Sequence, residues 1–214
     1  LRIISGHARG LKLKAPQGQS IRPTSDRARE ALFSIIGNRV KDARVLDLFA
    51  GTGAFGLEAL SRGASHVTFV DNSPDARMLI NQNIQIFPHR VQADSDPEIS
   101  AEPHQRIFSP LPVSLFDYDL GKPDFFSRNE QNNPDLLFDL IFLDPPYGKG
   151  LSLQTLLSLD RSVVLTRGGL VIVEERSGVV LPDSFNFLTI SDKRRYGDTA
   201  FWFYHIQSPP ADSH

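Results

Sequence analysis

Residues 138–147 read Phe138-Asp139-Leu140-Ile141-Phe142-Leu143-Asp144-Pro145-Pro146-Tyr147, and this stretch decides the fold. Leu140 to Leu143 is a short uninterrupted apolar run, the pattern of a strand buried on both faces. Asp144 falls at its carboxyl end. In an open parallel sheet, ligands bind outside the carboxyl ends of the strands, so Asp144 and the three residues after it stand where chemistry occurs. Pro145 and Pro146 fix two backbone angles and remove two amide donors, leaving carbonyl oxygens as acceptors. Tyr147 adds a flat ring.

A carboxylate, a rigid acceptor carbonyl and a stacking ring suit a planar heterocycle that bears an exocyclic amino group. Asp144 and the Pro145 carbonyl each accept one amino hydrogen, and Tyr147 covers the ring face. Such an amine is a poor nucleophile because its lone pair is delocalised into the ring. Two acceptors that favour a pyramidal nitrogen weaken that delocalisation, and they stabilise the positive charge that develops during alkylation.

Upstream, Val45 to Phe49 predicts the first strand of the main domain, followed by Ala50-Gly51-Thr52-Gly53-Ala54-Phe55-Gly56. Gly51, Gly53 and Gly56 satisfy the dinucleotide spacing Gly-x-Gly-x-x-Gly, and Asp71 closes the next strand 20 residues after Gly51, as a ribose-binding acid should. A nicotinamide dehydrogenase is therefore a competing reading. Charge argues against it. Asp47 lies in the strand just before the glycine turn, where it opposes a pyrophosphate but favours a sulfonium and an ammonium. S-adenosylmethionine carries both cations and no phosphate. A carboxylate that caps nearby amides is the plain alternative for Asp47, and a strand-end turn residue is the alternative for Asp71.

Helices are expected over 55–62 and 74–86, the second with Pro74 in its first turn and Ala76, Leu79, Ile80 and Ile84 inward. His66 to Val70 is the strand between them. This alternation predicts a mostly parallel sheet with right-handed crossovers. Residues 88–137 break the rhythm with seven of the fifteen prolines. They read as an irregular excursion around one strand, Val113 to Phe116, closed by Asp117; Asp117, or its rival Asp119, is the candidate partner of an adenine amino group. A helix over 151–159 and a buried strand over 170–173, ending at Glu174 and Glu175, follow. An antiparallel pair, 185–190 and 200–206, is joined by a loop over 191–199 that carries Lys193-Arg194-Arg195. Residues 208–214 read as a frayed tail.

With 214 residues, 40% hydrophobic and 22% charged, the chain has the composition of a soluble globular protein long enough to bury a full core. No apolar run approaches a membrane span and no signal-peptide pattern opens the chain, so a cytoplasmic protein is expected. Cysteine is absent, which excludes disulfides and thiol chemistry, and six scattered His residues give no metal-ligand spacing. The net charge of −2 conceals an asymmetry. Residues 1–44 hold ten Lys or Arg against three acids, a net +7, which leaves −9 for the rest. A basic front on an acidic body suits a protein that holds a polyanion with one face. Arg2 and Arg9 lie in a candidate hairpin. Arg22, Arg27 and Arg29, with Thr24 or Ser25 as cap, cluster at the start of a helix whose free amides already favour a phosphate. Lys149, Arg194 and Arg195 are further candidate contacts to nucleic acid.

These motifs, in this order, make the chain resemble the RsmD-type family of bacterial 16S ribosomal RNA guanine 2-amino methyltransferases. The resemblance rests on Arg2-Ile3-Ile4-Ser5-Gly6, on residues 22–30 reading Arg-Pro-Thr-Ser-Asp-Arg-Ala-Arg-Glu, on residues 46–54 reading Leu-Asp-Leu-Phe-Ala-Gly-Thr-Gly-Ala, and on Asp144-Pro145-Pro146-Tyr147. It implies an α/β, Rossmann-like methyltransferase domain over 45–207, with an N-terminal extension over 1–44 that helps grip RNA. It also implies S-adenosylmethionine held by Asp47, Phe49, Gly51, Thr52, Gly53, Asp71, Asn72 and Asp117, and a guanine of 16S rRNA, met in an assembling small subunit, as substrate. The excursion over 88–137 is longer and richer in proline than the family pattern. Two other classes share parts of this pattern, a DNA adenine 6-amino methyltransferase and a non-catalytic RNA-binding assembly factor.

Overall fold

The computed structural model describes residues 1–16, 26–88, 111–120, 126 and 137–207. Its elements, in chain order, are α1 (Asp26–Ile36), β1 (Arg44–Leu48), α2 (Ala54–Ser61), β2 (His66–Val70), α3 (Pro74–Ile86), β3 (Val113–Phe116), β4 (Phe138–Leu143), α4 (Leu151–Asp160), β5 (Leu165–Arg176), β6 (Leu188–Tyr196) and β7 (Thr199–Ile206). Among the described residues the strands form one sheet in the order β3-β2-β1-β4-β5-β7-β6. β1 to β5 run parallel, and β7 is inserted antiparallel between β5 and β6. The chain steps outward from β1 to β3 and then returns to place β4 against the other side of β1. That reversal opens a crevice at the carboxyl ends of β1 and β4.

The continuous apolar run of β4 is explained by the two layers that flank it. Leu140 and Phe142 enter one core cluster with α1, α2, α3 and Phe201 and Phe203 of β7, while Ile141 and Leu143 enter the other with α4 and Trp202 and Tyr204 of β7. Phe142 stacks on Phe55 with ring centroids 5.4 Å apart, and Phe33 lies 5.7 Å away on the same side. Aromatic contacts of this kind fix how the helices sit on the sheet.

Residues 1–14 form the expected hairpin, with Arg2 bridging Lys12 and Ile3 N–H donating to the Leu11 carbonyl at 2.9 Å. The hairpin is fastened to α2. Buried Glu58 accepts from the amides of Ile4 (2.7 Å) and Ser5 (3.1 Å), and Ser61 Oγ donates to the Ser5 carbonyl (2.5 Å) while accepting from the Ala8 amide (3.0 Å). Gly6, at φ +81°, passes so close that a Cβ there would sit 1.8 Å from the Ser61 carbonyl oxygen. Only glycine fits.

Two strands differ from the sequence reading. β6 continues to Tyr196, so the Lys193-Arg194-Arg195 run lies on a strand and the turn shrinks to Gly197-Asp198. β6 is an edge strand, and charges are how edges resist further pairing, so its polarity imitates a loop. β5 starts at Leu165, crossing Gly168 at φ +84° with a register shift against β4, and the glycine pair hides that continuity. In α1 the buried face takes Phe33 with Ala28, Leu32 and Ile36, and Ile35 is exposed. No helix among the described residues is long and apolar enough to cross a membrane.

Candidate active site

The chain leaves β1 through a tight turn. Phe49 takes φ +59°, a left-handed conformation that costs a non-glycine residue about 1 kcal/mol or more. Gly51 and Gly53, at φ +55° and +76°, then carry the chain into α2. Gly56 lets α2 approach the sheet, since a Cβ there would lie 2.3 Å from Phe69 and 2.7 Å from Val67. Buried Asp47 secures this geometry by accepting from the Gly56 amide at 2.9 Å.

Asp71 ties the next turn to the first. One carboxylate oxygen accepts from the Gly51 amide (2.9 Å) and the other from the Ser73 amide (2.8 Å). A buried side chain that sequence patterning missed completes the frame. Asn83 of α3 donates to the Thr52 carbonyl (2.9 Å) and the Lys14 carbonyl (3.1 Å), and accepts from the Lys14 amide (2.7 Å). It therefore links the basic N-terminal segment to the glycine turn. A lone Asn in a helical pattern carries no periodic signal for that.

Two adjoining cavities meet over this turn. The larger, of about 1720 Å³, is lined by Phe49, Gly51, Asp71 and Asn72 on one side and by Asp144, Pro145, Pro146 and Tyr147 on the other. The smaller, of about 1020 Å³, takes Thr52 together with Lys14 and Arg29, and shares Phe49, Gly51 and Asp144. The two motifs read from sequence thus line one cavity. Asp47 and Gly53 line neither cavity: Asp47 locks the turn from beneath, in keeping with the amide-capping alternative, and Gly53 shapes it.

The electrostatics of the cleft favour a cation. Asp144 is half-buried at the end of β4, its amide 3.4 Å from the Leu48 carbonyl. Burial pushes its carboxyl well above the ordinary range, and the charges of Glu174, Asp47 and Glu175 push the same way. Asp47 is pushed up to about 8 by burial, opposed by the Gly56 amide and assisted by Asp71. A sulfonium or ammonium arriving in the cleft beside Asp144 would favour its ionised form. Tyr147 is held by Arg176, whose guanidinium lies 5.3 Å from the ring centroid, and its hydroxyl is 3.4 Å from Glu174 Oε1. Burial first, then Glu174 and Asp144, raise the phenol, so it stays neutral.

Glu174 is 2% exposed yet lines the cleft, a role the sequence reading did not assign. The available signal was its position at a strand end parallel to that of Asp144. On the opposite wall Tyr118, Asp119 and Leu120 line the cleft, whereas Asp117 is 65% exposed and paired with Arg77 at 2.5 Å. The structure therefore puts Asp119, not Asp117, at the cavity.

Of the expected nucleic-acid contacts, Arg27, Lys149 and Arg195 rim the cleft. Arg2 and Arg9 are exposed on the hairpin, Arg2 pairing with Asp26 at 3.3 Å, and Arg194 is exposed and paired with Asp192 at 2.8 Å. Arg29 is a correction. It is 1% exposed and donates to the Arg2 carbonyl and to Asp26, because the phase of α1 turns position 29 inward with Ala28, Leu32 and Phe33. Arg22 and Thr24 lie outside the described residues, as do most of residues 88–137.

Comparison with known proteins agrees with this fold. The family model described as conserved hypothetical protein 95 matches residues 1–104 and 120–205. Ribosomal RNA small subunit methyltransferase D of Haemophilus influenzae is 31% identical over 193 residues, 90% of this chain and 88% of that protein. The Escherichia coli (strain K12) protein of the same name is 29% identical over 208 residues, covering 97% and 91%. Among solved structures, the Thermus protein TTHA0928 superposes with a TM-score of 0.71 at 28% identity, covering 96% of this chain and 99% of that one. SMU.776, solved in complex with SAH, shares the fold at 18% identity with a TM-score of 0.57, covering 85% and 49%. The chain belongs to the conserved hypothetical protein 95 family, the RsmD family, and has the fold of the S-adenosylmethionine-dependent methyltransferases.

Proposed function

We propose that this protein transfers a methyl group from S-adenosylmethionine to the exocyclic 2-amino group of a guanine in 16S ribosomal RNA. The observation that carries the reading is the meeting, in the lining of one cleft, of the glycine turn and Asp71 with the Asp144-Pro145-Pro146-Tyr147 stretch. S-adenosylmethionine supplies an already activated methyl group. The carboxyl of Asp144, at the cleft, suits its cationic end, and the SAH bound to a protein of the same fold is the demethylated form of that cofactor. The names of the Haemophilus and Escherichia relatives support a small-subunit rRNA substrate.

In this reading the target base is turned out of its stack and its ring is covered by Tyr147. Asp144 and the Pro145 carbonyl accept the two amino hydrogens and aim the nitrogen lone pair at the methyl carbon. A nitrogen–carbon bond forms as the carbon–sulfur bond breaks, and the alkylated nitrogen then loses a proton to Asp144 or to water. Alignment and preorganised acceptors supply most of the acceleration. Arg27, Lys149 and Arg195 hold phosphates around the mouth of the cleft, with Arg2 and Arg9 extending the basic surface.

Asp144→Ala tests the assignment. Transfer to small ribosomal subunits should fall by about a thousandfold or more, in the range of losing a positioned acceptor group, with S-adenosylmethionine still bound. Near-normal turnover by this variant would remove Asp144 from the mechanism.

A further inference from the structure

We infer, on the guanine reading above, that Glu174 is a specificity-determining residue that accepts the N1–H of the target base and so selects guanine over bases that present a lone pair there. β4 and β5 run parallel with Leu143 opposite Val173, which makes Asp144 and Glu174 neighbours at the same level on strands about 4.8 Å apart. Side chains at matched positions of paired strands leave the sheet on the same side. Glu175, one residue on, turns to the other side and accepts from Ser152 Oγ of α4 at 2.8 Å. Glu174 instead lines the cleft with Asp144 and Tyr147, and its Oε1 lies 3.4 Å from the Tyr147 hydroxyl. It also sits beside the ring that covers the base.

The chemistry of the base explains a second acid at this place. Guanine carries two donors side by side on its Watson–Crick edge, N1–H and the 2-amino group. Two adjacent carboxylates complement that pair, one holding the reacting amine and the other the ring N–H. Adenine places an unprotonated N1 beside its amino group, and the same two carboxylates would set an acceptor against that lone pair. As the amine is alkylated it gains positive charge next to N1–H, and the Glu174 carboxylate held at N1–H stabilises that charge through space.

The test uses small subunits rebuilt with 2-aminopurine in place of the guanine that the wild-type protein methylates. This base keeps the 2-amino group but has an acceptor at N1. Wild-type kcat/KM should be roughly 10- to 100-fold lower on 2-aminopurine than on guanine, the usual range for one misplaced hydrogen-bonding group. In Glu174→Gln the amide can turn its NH2 toward N1, so the guanine to 2-aminopurine ratio should fall close to 1 while S-adenosylmethionine affinity stays within about twofold. Equal wild-type rates on the two bases would overturn the assignment without any variant. A Glu174→Gln protein that loses cofactor affinity but keeps the wild-type ratio would also overturn it, by moving Glu174 to the cofactor. No transfer to guanine by the wild type would instead overturn the functional reading, and this proposal with it.

Discussion

Replacing Asn83 with alanine should loosen fold and cofactor site together. The buried side chain makes three part-buried hydrogen bonds, two with the backbone of Lys14 and one with the Thr52 carbonyl. Each is worth about 1 kcal/mol net, and truncation leaves three backbone groups in a part-buried seam, so a loss of about 3 kcal/mol is expected. For a domain of this size that is a fall of roughly 6–12 °C in Tm. Thr52 belongs to the glycine turn and Lys14 to the hairpin that walls the smaller cavity, so S-adenosylmethionine should also bind about tenfold more weakly, the equivalent of one 1.4 kcal/mol contact. Scanning calorimetry gives the first quantity and titration calorimetry the second. Asn83→Asp should retain the acceptor for the Lys14 amide and lose only the two donated bonds. An Asn83→Ala protein that melts within about 1 °C of wild type and binds the cofactor equally well would refute the link between hairpin and turn.

Gly6→Ala should cost more than Gly10→Ala, because a Cβ at position 6 meets the Ser61 carbonyl at 1.8 Å while one at position 10 meets nothing within 4 Å and both have positive φ; equal melting temperatures would contradict the docking described for the hairpin. Asp144, which lines the cleft, has a raised carboxyl, so a cation beside it displaces a proton, a cost that falls as pH rises through its raised value. S-adenosylmethionine and SAH share the ammonium but only the former has a sulfonium, so the ratio of their affinities should increasingly favour S-adenosylmethionine as pH rises above the ordinary carboxylate range; a flat ratio would separate Asp144 from the sulfonium. Lys149→Ala and Arg195→Ala should each weaken binding to small subunits and reduce the slope of log affinity against log salt by about 1, while Arg29→Ala should lower Tm instead. An unchanged salt slope would take those two side chains off the phosphates.

The parts legible in sequence were those with a strong local signature. The apolar run before Asp144 could only be a doubly buried strand, and the glycines at 51, 53 and 56 each meet a backbone demand that the structure confirms through positive φ or close packing. Strand register was not legible. It alone brings Glu174 beside Asp144, and no motif spans residues 30 positions apart on separate strands. The burial of Arg29 was not legible because charge was read without helical phase, nor was the bond of Asp47, because a carboxylate before a glycine turn can bond either a ligand or the Gly56 amide beneath it. Glycine in β5 and charge in β6 concealed strands whose pairing is set by neighbours far away in sequence.

The most direct measurement is methyl transfer from labelled S-adenosylmethionine to small ribosomal subunits that lack the modification, followed by digestion to nucleosides and mass analysis. Label in 2-methylguanosine is the predicted result, and it reports cofactor, substrate class and target atom together. Label on adenine would keep the acceptor chemistry of Asp144 and Pro145 but contradict the guanine assignment. No label on subunits, naked RNA or DNA, with S-adenosylmethionine shown to bind, would contradict catalysis and leave an RNA-binding assembly factor.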